Sequence, residues 1–207
     1  MIVMDFLERM QAAGIFSLAD IALLYPDLDR RRLFEWQQKG YIIKLRNEWY
    51  CLPGFLEKPY STWIIANVIH SPSYISLESA LDHYGVIPEG VYMTTSVTSN
   101  RPIRIDAGGQ HYLYSSVKST LYKGYLLEDT GMHNRKVRIA DLEKALVDFF
   151  YFRTKYATNS SIVTLRFNEP VLRDQLNTDR LMGYVDEAKN ASLESRIKKM
   201  LKVYIHA

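Results

Sequence analysis

Along IVMDFLERMQA, Val3, Phe6, Leu7 and Met10 recur at i, i+3, i+4 and i+7, the spacing of one helix face. The pattern predicts a helix over residues 2–12, ended by Gly14. Ser17, with Asp20 three residues on, predicts an N-cap for a second helix in a capping-box-like arrangement. Ile21 and Leu24 are expected to turn inward on it, and Pro26 stops it. Asp27 or Asp29 can cap a third helix that runs to Gly40, a good residue just past a helix end. At about 100° per residue, Leu33, Gln37 and Gly40 are expected toward the core, with Trp36 and Arg30 at the flanks. Arg31, Arg32, Glu35, Gln38 and Lys39 then point outward, and Phe34 fits neither side. Tyr41–Leu45 and Trp49–Leu52 alternate as two strands around Asn47-Glu48. Helix, glycine stop and basic hairpin come in the order of a winged helix-turn-helix, in which one helix enters the DNA major groove. Pro53-Gly54 closes this unit and Glu57-Lys58-Pro59 reads as a linker, so a first domain is expected over residues 1–58.

Beyond it, residues 60–70 have a helical pattern that Pro72 breaks. Ser76 is expected to cap a helix through Tyr84, ended by Gly85, with Leu77, Ala80, Leu81 and Tyr84 as its buried stripe. Val91–Val97, Ile103–Ile105 and Gln110–Tyr114 read as strands, with a turn at Gly108-Gly109. Tyr122–Leu127 and Val137–Ile139 add two more. Residues 140–153 form a strong helix with Leu142, Ala145, Leu146 and Phe149 on one face. Ile162–Phe167 fits a strand or a helix turn, and from Val171 the pattern is helical. The last helix buries Ile197, Met200, Leu201 and Tyr204, with Arg196, Lys198, Lys199 and Lys202 on or beside its outer face. The expected fold class is α+β: an N-terminal winged helix-turn-helix, then a mixed α/β domain over residues 59–207 with a C-terminal helical segment.

The chain has 207 residues, 47% hydrophobic and 24% charged, which places it with soluble globular proteins. No apolar run approaches the ~18 residues of a membrane span. Acidic residues at Asp5 and Glu8, without a basic start, argue against a signal peptide. The single cysteine, Cys51, rules out an internal disulfide and fits a cytoplasmic location. A net charge of +3 says little, but its distribution says more. Residues 30–46 hold Arg30, Arg31, Arg32, Lys39, Lys44 and Arg46 against Glu35 alone. A local basic patch is what phosphate contact requires.

The chemistry of that patch suits double-stranded DNA. Arg pairs with guanine O6/N7 and Gln with adenine N6/N7, so Arg30, Arg31, Arg32, Gln38 and Lys39 are candidate contacts. Lys44 and Arg46, at i and i+2 on one strand, are expected to leave the same face of the hairpin toward phosphate oxygens. Five or six such contacts predict a slope of roughly −5 in log K against log salt. One module on a monomer binds weakly, so specificity calls for a second half-site or a second copy. The competing reading is a solvated basic helix on a winged module that docks protein.

Residues 74–97 read YISLESALDHYGVIPEGVYMTTSV and residues 138–151 read RIADLEKALVDFFY. Both resemble signature segments of the AbiEi-type antitoxins of type IV toxin–antitoxin systems. The N-terminal unit, with its Gly-Tyr-Ile, Lys, Arg, Tyr and Leu-Pro positions over residues 40–53, is similar to that family's DNA-binding half. The resemblance spans about residues 1–167. It implies a cytoplasmic transcriptional regulator that binds repeats in its own promoter. It also implies a C-terminal domain that counteracts a nucleotidyltransferase-like toxin without need of a stable complex. The family's hairpin usually turns on Arg-Gly, whereas here the turn is Arg46-Asn47-Glu48-Trp49. Asn47 can take the left-handed conformation, but Glu48 places a negative charge near any bound DNA. Ser76, Glu78 and Ser79 in the first block, and Glu143, Lys144 and Asp148 in the second, carry the match. Read as residues, they are structural first. Ser76 and Glu78 sit in a helix's first turn, and Asp148 is placed to pair with Lys144 at i, i+4. A catalytic role is the competing reading.

Enzyme chemistry finds little footing. A nuclease-like core needs an Asp on one strand and Glu-x-Lys on the next, but Asp106 stands alone and QHYLYS has no such motif. His70, His83, His111, His133 and His206 show no metal-ligand spacing. Cys51 has no His nearby, and no nucleotide-cofactor motif is present. No catalytic residue, metal or cofactor is expected. The rivals to an antitoxin are a stand-alone transcription factor with a ligand-sensing or dimerisation domain, and a degenerate nuclease.

Overall fold

The computed structural model describes residues 2–88, 90–132 and 135–205. The fold is mixed α+β, with ten α-helices and two sheets among these residues. His133 and His206 lie outside them.

The first 51 residues run α1 (Ile2–Gln11), β1 (Ile15–Ser17), α2 (Leu18–Leu24), α3 (Arg31–Gln38), β2 (Ile43–Arg46) and β3 (Trp49–Cys51). The three strands form an antiparallel sheet in the order β1-β3-β2. Phe6, Met10, Phe16, Ile21, Leu33, Trp36, Ile42 and Tyr50 make a small core between helices and sheet. The expected capping box forms: Ser17 Oγ accepts the Asp20 N–H, and Asp20 Oδ2 accepts the Ser17 N–H at 2.7 Å. Two expectations on these helices fail. Leu24 is half exposed, because Ile21 alone of that helix reaches the core. Trp36, not Gln37 and Gly40, joins Leu33 in the core, where its ring lies 4.7 Å from that of Phe6. A tryptophan removes far more apolar surface from water than a glutamine stem, so the helix rolls toward it.

The rest of the chain builds a six-stranded sheet. Its strands are β4 (Ser73–Ile75), β5 (Thr94–Thr98), β6 (Ile103–Ala107), β7 (Gln110–Ser116), β8 (Tyr125–Asp129) and β9 (Lys136–Ala140). Their order is β6-β7-β5-β4-β9-β8, with β4/β9 and β5/β7 parallel and the other neighbours antiparallel. The helices are α4 (Ser61–Ile69), α5 (Glu78–His83), α6 (Leu142–Phe152), α7 (Asn159–Val163), α8 (Glu169–Gln175), α9 (Thr178–Ala188) and α10 (Ala191–Tyr204). Helix α6 packs among α5, α9 and α10, and α4 lies against β4 and β9. Strands β1 and β4 were not anticipated. Each is three residues long, too short to display alternation. Ile162–Phe167 takes the helical alternative, as the end of α7 and a turn. Arg196, expected toward the outer face of α10, is buried, and its Nε donates to the Phe150 carbonyl at 2.9 Å. No helix among the described residues is long and apolar enough to cross a membrane.

The core does not stop at residue 58. Ile15, Leu45, Cys51 and Phe55 belong to the same buried cluster as Tyr112, Ala107 and the interior of the large sheet. Gly108, in the β6–β7 turn at φ +57°, packs so closely that a Cβ there would meet Leu45 and Leu56 at 3.1 and 3.2 Å. Arg135 donates to the Ile15 carbonyl at 2.9 Å.

Candidate nucleic-acid interface and the buried polar network

Helix α3 owes its start to Asp29, whose carboxylate accepts the Arg31 N–H at 2.9 Å. It ends in a Schellman motif. Gly40, at φ +71°, donates to the Gln37 carbonyl, and Tyr41 donates to the Trp36 carbonyl. Leu33 and Trp36 anchor one face. The opposite face carries Arg31, Arg32, Phe34, Glu35, Gln38 and Lys39, all exposed, with exposed Arg30 preceding them. Lys44 on β2 is exposed as well. None of the basic side chains at 30, 31, 32, 39 and 44 makes an ion pair among the described residues. Their charge faces solvent.

Arg46 is the exception and corrects the expectation that it shares a phosphate-facing surface with Lys44. The ladder with β3 shifts register between Lys44 and Arg46, so Lys44 stands opposite Tyr50 and Arg46 opposite Trp49. Arg46 is half-buried, and its Nη1 is shut off from solvent without a hydrogen-bond partner. Its charge bears on His70 and Tyr114 of the larger body. Burial lowers the pKa of His70, with Arg46 adding to the effect against a hydrogen bond to the Arg101 carbonyl. In the hairpin turn Asn47 takes a left-handed conformation at φ +51°, as expected, and Glu48 is exposed. The Glu48 carbonyl accepts the Leu18 N–H at 2.9 Å, which ties the turn to the start of α2.

The two downstream blocks meet in space. Lys144 donates to Asp148 Oδ1 at 2.5 Å, the expected i, i+4 pair, and both side chains are buried. Ser76 and Tyr74 hydroxyls donate to Asp148 Oδ2 at 2.8 and 2.9 Å. Burial pushes the Asp148 carboxyl up, while Lys144 and the two hydroxyls pull it back. Ser76 is thus not a helix cap. Leu77, at φ +57°, precedes α5, and Ser76 ends the buried strand region with its side chain turned to α6. Glu78 does not serve free N–H groups either. Arg153 grips both of its oxygens, at 2.6 and 2.9 Å. Ser79 exchanges hydrogen bonds with Thr95 on β5. Glu143 accepts the Asn177 N–H at 2.7 Å and faces Arg180 at 3.5 Å. The true cap of α6 is Asp141, which accepts the Lys144 N–H at 2.7 Å and the Tyr184 hydroxyl at 2.8 Å. An Asp directly before an apolar-periodic run was the signal that could have found it.

No protein-family model matches this chain, and no curated protein matches it.

The geometry of the two regions differs in what it can do. The cavity that touches Lys144 and Asp148 holds about 10 Å³, room for about one water, whereas Glu78, Thr95 and Arg153 line an open pocket of about 470 Å³. The network joins β4, β5, α5, α6 and α9. Elsewhere Asp106 binds His111 at 2.6 Å with Arg104 at 3.8 Å, all three exposed. Among the described residues no three His, Cys, Asp or Glu side chains are grouped to hold a metal ion. Cys51 is fully buried, and burial pushes its thiol up to about 12. The α3 face is the opposite case. It is open to solvent and carries Arg31, Arg32, Gln38 and Lys39 together with Glu35, and its cations make no ion pair among the described residues.

Proposed function

We propose that this chain is an antitoxin-like transcriptional regulator. In this reading α1–α3 and the β2–β3 hairpin form a winged helix that binds double-stranded operator DNA through α3. The larger body counteracts a nucleotidyltransferase-like toxin. The observation that carries the DNA half is the unpaired cationic face of α3, with Lys44 on the strand that follows. A helix held rigidly on one side by Leu33 and Trp36, with five solvent-facing cations on and beside it, suits insertion into a major groove. The antitoxin half rests on the resemblance of residues 74–97 and 138–151. The meeting of those blocks around Asp148 supports reading them as the framework of one domain.

The decisive experiment is a gel shift with the DNA upstream of the protein's own reading frame, wild type against Arg31→Ala/Arg32→Ala. Wild type shifts the DNA, and the double variant loses it or needs much lower salt. Equal binding by both, or by neither, removes α3 as the DNA-reading element.

A further inference from the structure

Phe34 is 63% exposed, although it sits between Leu33 at 3% and Glu35 on a helix that has a core to bury it in. One exposed apolar side chain is ordinary on a protein surface. Its placement is not. Phe34 lies four residues after Arg30, three after Arg31 and four before Gln38. At helical spacing those three are its neighbours on the outer face. The ring therefore stands beside Arg30, Arg31 and Gln38, the side chains that the DNA-binding reading assigns to phosphates and base edges. Such a face has one apolar partner in B-DNA, because the major-groove edge of thymine carries a C5-methyl group. Gln38, one turn on, carries the groups that read adenine N6/N7, which share the A·T pair with that methyl.

We infer that Phe34 is a specificity-determining residue that packs against thymine methyl groups in the operator and biases α3 toward A·T pairs. The inference rests on the DNA-binding reading above. It adds an apolar element to a surface otherwise described by charge.

The test replaces every thymine of the upstream DNA by deoxyuracil, which removes the methyl and leaves base pairing intact. Wild type is expected to bind the uracil DNA about 4-fold more weakly per methyl it covers. Phe34→Ala is expected to bind both DNAs equally while keeping the wild-type dependence on salt, since no charge is lost. An unchanged far-UV circular dichroism spectrum reports a folded variant. If Phe34→Ala binds neither DNA, Phe34→Leu decides. A thymine-to-uracil ratio changed from the wild-type value supports the inference, and an unchanged ratio overturns it. A wild type that binds both DNAs equally overturns this inference and leaves the DNA-binding reading standing, as does a Phe34→Ala variant that keeps the wild-type ratio. A wild type that binds neither DNA removes both.

Discussion

Lys44 and Arg46 show how much a single register shift decides. Both are basic, two residues apart on one strand, and equal as sequence. Lys44 is exposed, and Arg46 is half-buried with one guanidinium nitrogen sealed against the larger body. Their substitutions should therefore separate. In the proposed DNA complex, Lys44→Ala reduces the salt slope by about 1, the loss of one phosphate contact. Arg46→Ala leaves the slope unchanged and lowers the urea midpoint, because the side chain is half-buried and its loss removes packed stem rather than a solvent-facing charge. Gel shifts at four or five salt concentrations and a urea titration of each variant check the pair. A slope that falls with Arg46→Ala puts its charge on DNA after all. Nothing local in the sequence marks the difference, since the partners of Arg46 lie far along the chain. The outward positions Arg31, Arg32, Glu35, Gln38 and Lys39 were legible, because helical periodicity is a local property.

Among the elements, α6 is the clearest case of pattern read correctly and chemistry read in part. Its apolar face, Leu142, Ala145, Leu146 and Phe149, is buried as the 3.6-residue period requires. The helix is also buried on its polar side, where Glu143, Lys144 and Asp148 are each almost inaccessible. Periodicity cannot announce this, because the partners arrive from β4 and the residue after it, and from α9 and its N-cap. A charge pair in such a place is asymmetric in its energetics. Removing one partner strands the other, at about 3–5 kcal/mol, whereas replacing both is far cheaper. Asp148→Asn should thus destabilise the protein by several kcal/mol, since the Lys144 ammonium loses its counter-ion. Lys144→Met combined with Asp148→Asn should recover most of that loss, because the Asn carbonyl still accepts from Ser76 and Tyr74. Denaturant unfolding of the two single variants and the double variant measures the coupling. Costs that simply add would show that the pair is not coupled. The short strands β1 and β4 mark the other limit of legibility. Three residues give no alternation to read, and only the ladders to β3 and β5 define them.

For the whole molecule, the question is whether the N-terminal module and the larger body move as one. The sequence shows a linker at Glu57-Lys58-Pro59 and a change of pattern after it, which suggests two independent units. The buried surfaces run across that point. Ile15, Leu45, Cys51 and Phe55 pack in one cluster with the interior of the large sheet, and the β6–β7 turn presses on Leu45 and Leu56 at Gly108. A head fixed in this way would present α3 at a set angle to the body, so any second copy on the DNA would be positioned by the body as well as by the groove. Cys51 reports on this directly, because it is the chain's one thiol and lies inside the shared cluster. With its thiol held near 12 by burial, it is both inaccessible and unionised at neutral pH. Labelling by a thiol reagent at pH 8 should be negligible in native buffer. In a urea series it should appear with the same midpoint as the loss of far-UV circular dichroism. If the module instead separates from the body as a unit, Cys51 labels at urea concentrations where the helices are still intact. Coincident midpoints mean that Cys51 becomes reactive only when the structure is lost as a whole, and that α3 is held on a rigid two-part scaffold.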